Sequence, residues 1–458
     1  MALTRGRWYR SNVRRLLGSC LFLFACGGDP VSSLPPCPEC TALVGGKIFD
    51  GNTTRSALVL LSGNTISAIV DEEVPPEVGT VIDLSGQTLL PGLFDLHVHV
   101  YTPPTEVGFD APANLDRLQL QAFLRNGVTS IGDLGSPSAG IFPARAEGQR
   151  NLIFPRIWAA GPMLTAAGGH PCEGEDLPVC QVVSTVAEVD AAVESIAAQQ
   201  PDFYKLIVEQ GWRSPLPTVD QETIMAIYTA AAARDRPLWV HVTRAEDLEV
   251  ALDIGVRRFA HLPFHDLLTD AQALRLAQTN TVVVPTASYV DALDRLGRGA
   301  LSELDDPAVV PDVHPKVRAD LQDPARIAGY LDPVTQAAVA EALTNVRQNL
   351  GLLVRHRVTI AAGTDAGNVG NFHGVSLRRE LALYVEAGMT PAEALQSATA
   401  VPARVLGRPD LGTLAPSATA DLVAVEGDPL LDLSALGKVT HVWKSGLEVD
   451  RASLVAGP

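Results

Sequence analysis

Apolar residues fall into two rhythms along this chain. Between residues 42 and 84 they form short runs: Ala42-Leu43-Val44, Ala57-Leu58-Val59-Leu60-Leu61, Thr65-Ile66-Ser67-Ala68-Ile69-Val70 and Val81-Ile82-Asp83-Leu84. Gly45-Gly46, Asp50-Gly51 and Ser62-Gly63-Asn64 punctuate them, so the pattern predicts β-strands joined by tight turns. From about residue 88, apolar strands alternate with Ala- and Leu-rich stretches of helical period, such as Leu115–Asn126, Val186–Gln199, Gln221–Arg234 and Ala245–Ile254. That alternation predicts repeated βα units. Eight candidate strands end near His99, Asp133, Ala160, Val208, Val242, His261, Thr286 and Asp365. The expected fold is α/β, a (β/α)8 TIM barrel with its chemistry at the carboxyl ends of the strands. Strand-like runs return at Ala420-Asp421-Leu422-Val423-Ala424-Val425 and Val439-Thr440-His441-Val442-Trp443. They are expected to complete a small β-sandwich-like domain built from residues 41–88 and 406–458, with the barrel over 89–405. Residues 290–335, rich in Asp and Pro, form the longest irregular stretch and are expected to act as a lid.

The first 26 residues read as targeting sequence. Arg5, Arg7, Arg10, Arg14 and Arg15 precede an apolar stretch, Leu16 to Ala25, that is too short to span a bilayer. Leu23-Phe24-Ala25-Cys26 resembles a bacterial lipobox, with Leu17-Gly18-Ser19-Cys20 a weaker match. The expectation is an exported lipoprotein anchored through lipid on Cys26, at the periplasmic or outer-membrane face, with residues 27–40 as tether. The alternative is an ordinary cleaved signal peptide. In an exported chain Cys37, Cys40, Cys172 and Cys180 suggest disulfides, locally paired in the simplest case, although Cys37-Pro38-Glu39-Cys40 could be half of a zinc site. A formal net charge of −17 argues against a nucleic-acid or anionic-membrane surface.

Five polar strand ends carry the chemistry. His97 and His99 stand two apart on a strand, so both imidazoles project to one face, the usual arrangement for a shared metal ion. Lys205 lies inside the apolar run Phe203-Tyr204-Lys205-Leu206-Ile207, in a chain with only five lysines. An unpaired ammonium is costly to bury, and a neutral buried amine can take up carbon dioxide to form a carbamate that bridges two metals. His241, His261 and Asp365 end strands five, six and eight. Asp365 could ligate a metal and accept a proton from water. Taken singly, each of these histidines reads as a core or loop residue, and Lys205 as a lysine snorkelling at a strand edge.

Together they resemble the amidohydrolase superfamily in its binuclear, carboxylated-lysine form. The resemblance rests on Leu89-Leu90-Pro91-Gly92-Leu93-Phe94-Asp95-Leu96-His97-Val98-His99 and on Gly363-Thr364-Asp365-Ala366-Gly367. It continues through Met389-Thr390-Pro391-Ala392-Glu393-Ala394-Leu395, Ala398-Thr399, Pro402-Ala403, Gly412-Thr413-Leu414 and Ala420-Asp421-Leu422-Val423. It implies one divalent ion on His97, His99 and Asp365, and a second on His241 and His261, with carboxylated Lys205 between them. Zinc is the expected metal, with manganese an alternative. Asp365 would pass a proton from the nucleophile to the leaving amine.

Thr165-Ala166-Ala167-Gly168-Gly169-His170-Pro171 resembles a loop of the imidazolonepropionase-like and prolidase-like group, which implies a catalytic, substrate-contacting role for His170 as a hydrogen-bond partner of the scissile carbonyl; the alternative is a loop histidine ordered by a Cys172–Cys180 disulfide. Arg244, Tyr289 and His373 are further candidates for substrate binding, Arg244 having surface pairing with Glu246 or Asp247 as its alternative. The implied activity is hydrolysis of an amide in a small molecule, a dipeptide or N-acyl amino acid. Cyclic amides, lactones, deamination of an aminated ring and a non-catalytic binding protein are the alternatives. A homo-oligomer is left open.

Overall fold

A computed structural model describes residues 34–71, 76–105, 110–173, 177–211 and 215–454. The targeting segment, Cys26 and the first half of the tether, residues 27–33, lie outside the described residues. Two sheets make up the small domain. One has the spatial order Thr65–Val70, Leu58–Ser62, Cys37–Val44, Val78–Asp83. The other runs Leu447–Glu448, Val439–Lys444, Leu422–Glu426, Gln87–Pro91, Lys47–Phe49, Thr54–Ser56. Leu43, Val59, Leu61 and Ile66 of the first pack with Ile48, Leu89, Leu422 and Trp443 of the second. The opening strand begins at Cys37, inside the segment read as tether, and a Cys37–Cys40 disulfide sits at its start.

The apolar run Leu89–His99, expected to open the barrel, belongs to two strands. Gln87–Pro91 pairs with Leu422–Glu426 in the small domain, whereas Leu93–Val98 pairs with Val128–Asp133 in the barrel. The chain changes partners at Gly92, whose N–H donates to Asp421 O at 2.7 Å while Leu93 N–H donates to Gly127 O at 3.0 Å. A side chain at Gly92 would collide with Thr129. The small domain's strand therefore runs to Pro91, past the boundary expected at residue 88.

Eight parallel strands form the barrel: Leu93–Val98, Val128–Asp133, Arg156–Ala159, Tyr204–Val208, Leu238–Val242, Arg258–Ala260, Val282–Val284 and Thr359–Ile360. Bonds from Leu96 N to Ala362 O (2.9 Å) and from Asp365 N to His97 O (2.6 Å) close strand eight onto strand one. Period two sorts the side chains. Phe203 and Trp239 join Phe94 and Ala361 in the inner cluster, while Tyr204, Leu206, Val240 and Val242 pack outward on the helices. Lys205 and His241 therefore share the inward side with Phe203 and Trp239.

The stretch expected as a lid is a packed helical insertion. Helix Ala287–Gly297 opens it, and short helices, among them Pro315–Leu321, follow. Leu301, Leu304, Val309, Val313, Val317 and Leu321 bury against Leu115, Phe372 and Val375. Val317 and Leu321 stand four apart on helix Pro315–Leu321 and share its buried face, whereas Val309 and Val313 enter the cluster from the turns before it.

Lys444 ties the two domains together. It is 2% exposed and donates to the carbonyl of Gly148, the last residue of helix Ser138–Gly148, and to those of Asn151 (2.8 Å) and Phe154 (2.6 Å) just beyond it. A buried carbonyl left without a donor costs about 1–3 kcal/mol. Lys444→Met is therefore expected to lower unfolding stability by about 3 kcal/mol, read by urea titration, while leaving the centre described next intact.

Candidate active site

Strands one and eight meet at the carboxyl end of the barrel. Asp365 Oδ1 lies 3.2 Å from His97 Nε2 and 3.0 Å from His99 Nε2, and all three residues are largely or fully buried. Backbone strain places the carboxylate: Asp365 has φ 65°, and His261 and Thr286, also at barrel-strand ends, have φ 71° and 51°. Left-handed non-glycine residues are uncommon, and their grouping at three adjacent strand ends marks a site. Asp95, 0% exposed and pushed up to about 7 by burial, accepts from Thr364 N (2.9 Å) and Thr364 Oγ1 (2.7 Å), holding the loop that carries Asp365. Any side chain at Gly363 would strike the His97 backbone and Val284.

Outer partners fix the imidazoles. His99 Nδ1 donates to Gly135 O at 2.8 Å, and Asp133 orders that loop by accepting from Val100 N, Gly135 N and Ser136 Oγ. His261 Nδ1 donates to Thr286 Oγ1 at 2.7 Å, since that hydroxyl gives its own proton to Pro285 O. His241 Nε2 donates to Glu209 Oε2 at 3.2 Å. Each ring thus spends one nitrogen on an acceptor and keeps the other as a lone pair. The His241 and His261 rings are 4.2 Å apart and the His97 and His261 rings 4.7 Å. Burial holds His97 and His261 well below the ordinary histidine range and His241 down to about 4. Lys205, 1% exposed, places Nζ 3.4 Å from His97 Nε2, and burial pushes it down to about 7.

This donor set fits a cation. His97, His261 and Asp365 offer three ligand atoms within 4.8 Å of one another. Asp365 Oδ1 and His97 Nδ1 are buried without a hydrogen-bond partner. Burial opposes a charge on His99, yet Asp365 outweighs it and raises that imidazole, so the position favours added positive charge.

The remaining candidates separate. The His170 ring lies 5.7 Å from His241, with Nδ1 2.9 Å from Glu173, in a loop bounded by the Cys172–Cys180 disulfide. Tyr289, in the first turn of helix Ala287–Gly297, faces Asp365 and Glu209, and burial followed by those two charges raises its phenol. Arg244 Nε is buried without a hydrogen-bond partner, and Asp247 accepts from Gln210 Nε2 at 2.9 Å instead. His373 does not line the opening. It is 3% exposed behind His99, donates from Nε2 to the His99 carbonyl at 3.1 Å and stacks edge-on to Phe123. Its role is to support the backbone of strand one, because the turn at Gly374 seats it against the first barrel helix. Asp95, Asp133, Thr286 and Glu209 join the site beyond the residues expected from the sequence. Asp95 and Glu209 were findable, standing two residues before His97 and four after Lys205 on a strand of period two.

The chain matches the amidohydrolase family over residues 88–449. An imidazolonepropionase of Anaeromyxobacter dehalogenans (strain 2CP-1 / ATCC BAA-258) is 26% identical over 393 residues, 82% of this chain and 85% of that one. The solved structure of a prolidase complexed with N-methylphosphonate-L-proline is 26% identical, covers 90% of this chain and 99% of its own, and superposes with a TM-score of 0.73. A Xaa-Pro dipeptidase with bound methionine in its active site is also 26% identical, covers 89% and 99%, and gives 0.70. The family match takes in the barrel strands that carry His97, His99, Lys205, His241, His261 and Asp365, and the chain belongs to the amidohydrolase family.

Proposed function

We propose that this chain is a binuclear metal-dependent hydrolase that cleaves the C–N amide bond of a dipeptide or N-acyl amino acid. The observation that carries this reading is Lys205, whose Nζ lies among the imidazoles, 3.4 Å from His97 Nε2. His97, His99 and Asp365 would hold one divalent ion, zinc by the donor set, and His241 and His261 the other, with Lys205 as a carbamate between them. Bound there, the ions would supply Lewis acidity toward an amide carbonyl and acidify water.

The chain's own residues do the rest. Asp365 takes the proton of the attacking water and delivers it to the departing nitrogen. Buried Asp95 keeps the Asp365 loop fixed through Thr364. His170, whose ring lies 5.7 Å from that of His241, and Tyr289 hydrogen-bond the substrate. Arg244, with its buried unpaired Nε, receives a substrate carboxylate. A cyclic amide is the second reading, because sequence relatives are named imidazolonepropionase.

Zinc-reconstituted protein assayed on Xaa-Pro, Xaa-Arg, Xaa-Lys and Xaa-hydrophobic dipeptides and on N-acyl amino acids is expected to hydrolyse at least one class. Fully loaded protein inert on the whole panel would count against the peptidase reading. The proposal includes export and lipid anchoring at Cys26. Cys26→Ser is then expected to move the protein from the membrane to the soluble fraction.

A further inference from the structure

Three candidate ligand histidines have an outer partner, and one partner differs in kind. His99 is held by a carbonyl and His261 by a hydroxyl, both neutral. His241 is held by the Glu209 carboxylate, 3.2 Å from Nε2. Glu209 is 6% exposed, and its other oxygen accepts from Gly211 N at 2.7 Å. The carboxylate is thus clamped by backbone just beyond strand four, on the inward side shared by Phe203 and Lys205. A carboxylate accepts and cannot donate here, so the proton of neutral His241 resides on Nε2 and the lone pair on Nδ1. A charged acceptor also makes that lone pair more basic than a neutral one would.

We propose that Glu209 is a positioning residue for the second ion: it sets the His241 tautomer and presents Nδ1, not Nε2, as the ligand atom. Within the binuclear reading, on which this inference rests, Glu209 controls the affinity of one ion and leaves the other alone. The ion on His97, His99 and Asp365 has its own supports in Gly135, Asp133 and Asp95. Losing a partner of this kind lowers metal affinity roughly 10- to 100-fold.

Two measurements on the full chain test this. In the first, zinc is titrated against a chromophoric chelator, and cobalt(II) spectra are recorded for wild type, Glu209→Ala and Glu209→Gln. Glu209→Ala is expected to weaken one ion by roughly 10- to 100-fold and leave the other unchanged. Glu209→Gln, whose amide oxygen still accepts from Nε2, recovers much of that affinity. Unchanged affinities in Glu209→Ala overturn the proposal. Glu209→Gln as defective as Glu209→Ala also overturns it, making Glu209 a ligand.

In the second, the metal-free chain is labelled with [15N]histidine, His241→Asn assigning the resonance. His241 is expected as the Nε2–H tautomer in wild type and as a tautomer mixture in Glu209→Ala. The same tautomer in both overturns the proposal. Wild type binding fewer than two ions would sink the binuclear reading, and the tautomer measurement would still decide the part assigned to Glu209.

Discussion

Asp365→Asn is expected to lower kcat/KM by about 10⁴-fold while the protein stays folded. General acid–base catalysis contributes roughly 10²–10⁴-fold by itself, and a weakened first ion adds to that loss. Asparagine is the informative replacement because Asp365 sits at φ 65°. Asn adopts that left-handed conformation more readily than other side chains, so the backbone at strand eight is retained. The amide keeps an oxygen toward His97 and His99 but can neither take nor pass a proton. Steady-state kinetics on any hydrolysed substrate, with metal content measured on the same preparation, checks this. Activity within tenfold of wild type at full metal loading would remove Asp365 from the proton path.

Lys205→Ala is expected to reduce bound metal from about two ions per chain to about one, and kcat/KM by roughly 10³-fold, the loss of several kcal/mol of Lewis-acid stabilisation. Lys205 is 1% exposed, and its close polar neighbour is the neutral ring of His97. An ammonium there is poorly compensated, and burial accordingly shifts it down to about 7. Near neutral pH a large fraction is therefore free amine. That nitrogen can attack carbon dioxide and lose a proton, giving an anionic carbamate suited to two cations. Elemental analysis decides: a wild type with about one ion, unchanged in Lys205→Ala, excludes the bridge.

The sequence alone determined the fold class, because strand and helix periodicities alternate with short connections and do not depend on distant contacts. It also determined which residue types reach the barrel mouth, since period two carries His97 with His99 and Phe203 with Lys205. Local pattern was not enough at Gly92, where one apolar run serves two sheets and only the pairing with Leu422–Glu426 and Val128–Asp133 reveals the break. Nor was it enough for His373, whose place behind His99 follows from a turn packed on a helix far away in sequence.

The tertiary structure alone decided the imidazole tautomers. Gly135, Thr286 and Glu209 hold His99, His261 and His241 across sequence separations of 36, 25 and 32 residues. It alone set the left-handed turns at Asp365, His261 and Thr286, which the local sequence permits but does not dictate. The physical reason is common to both. A hydrogen-bond partner or a strained φ is fixed by what closes around a residue, whereas strand periodicity is fixed by the residue's immediate neighbours in the chain.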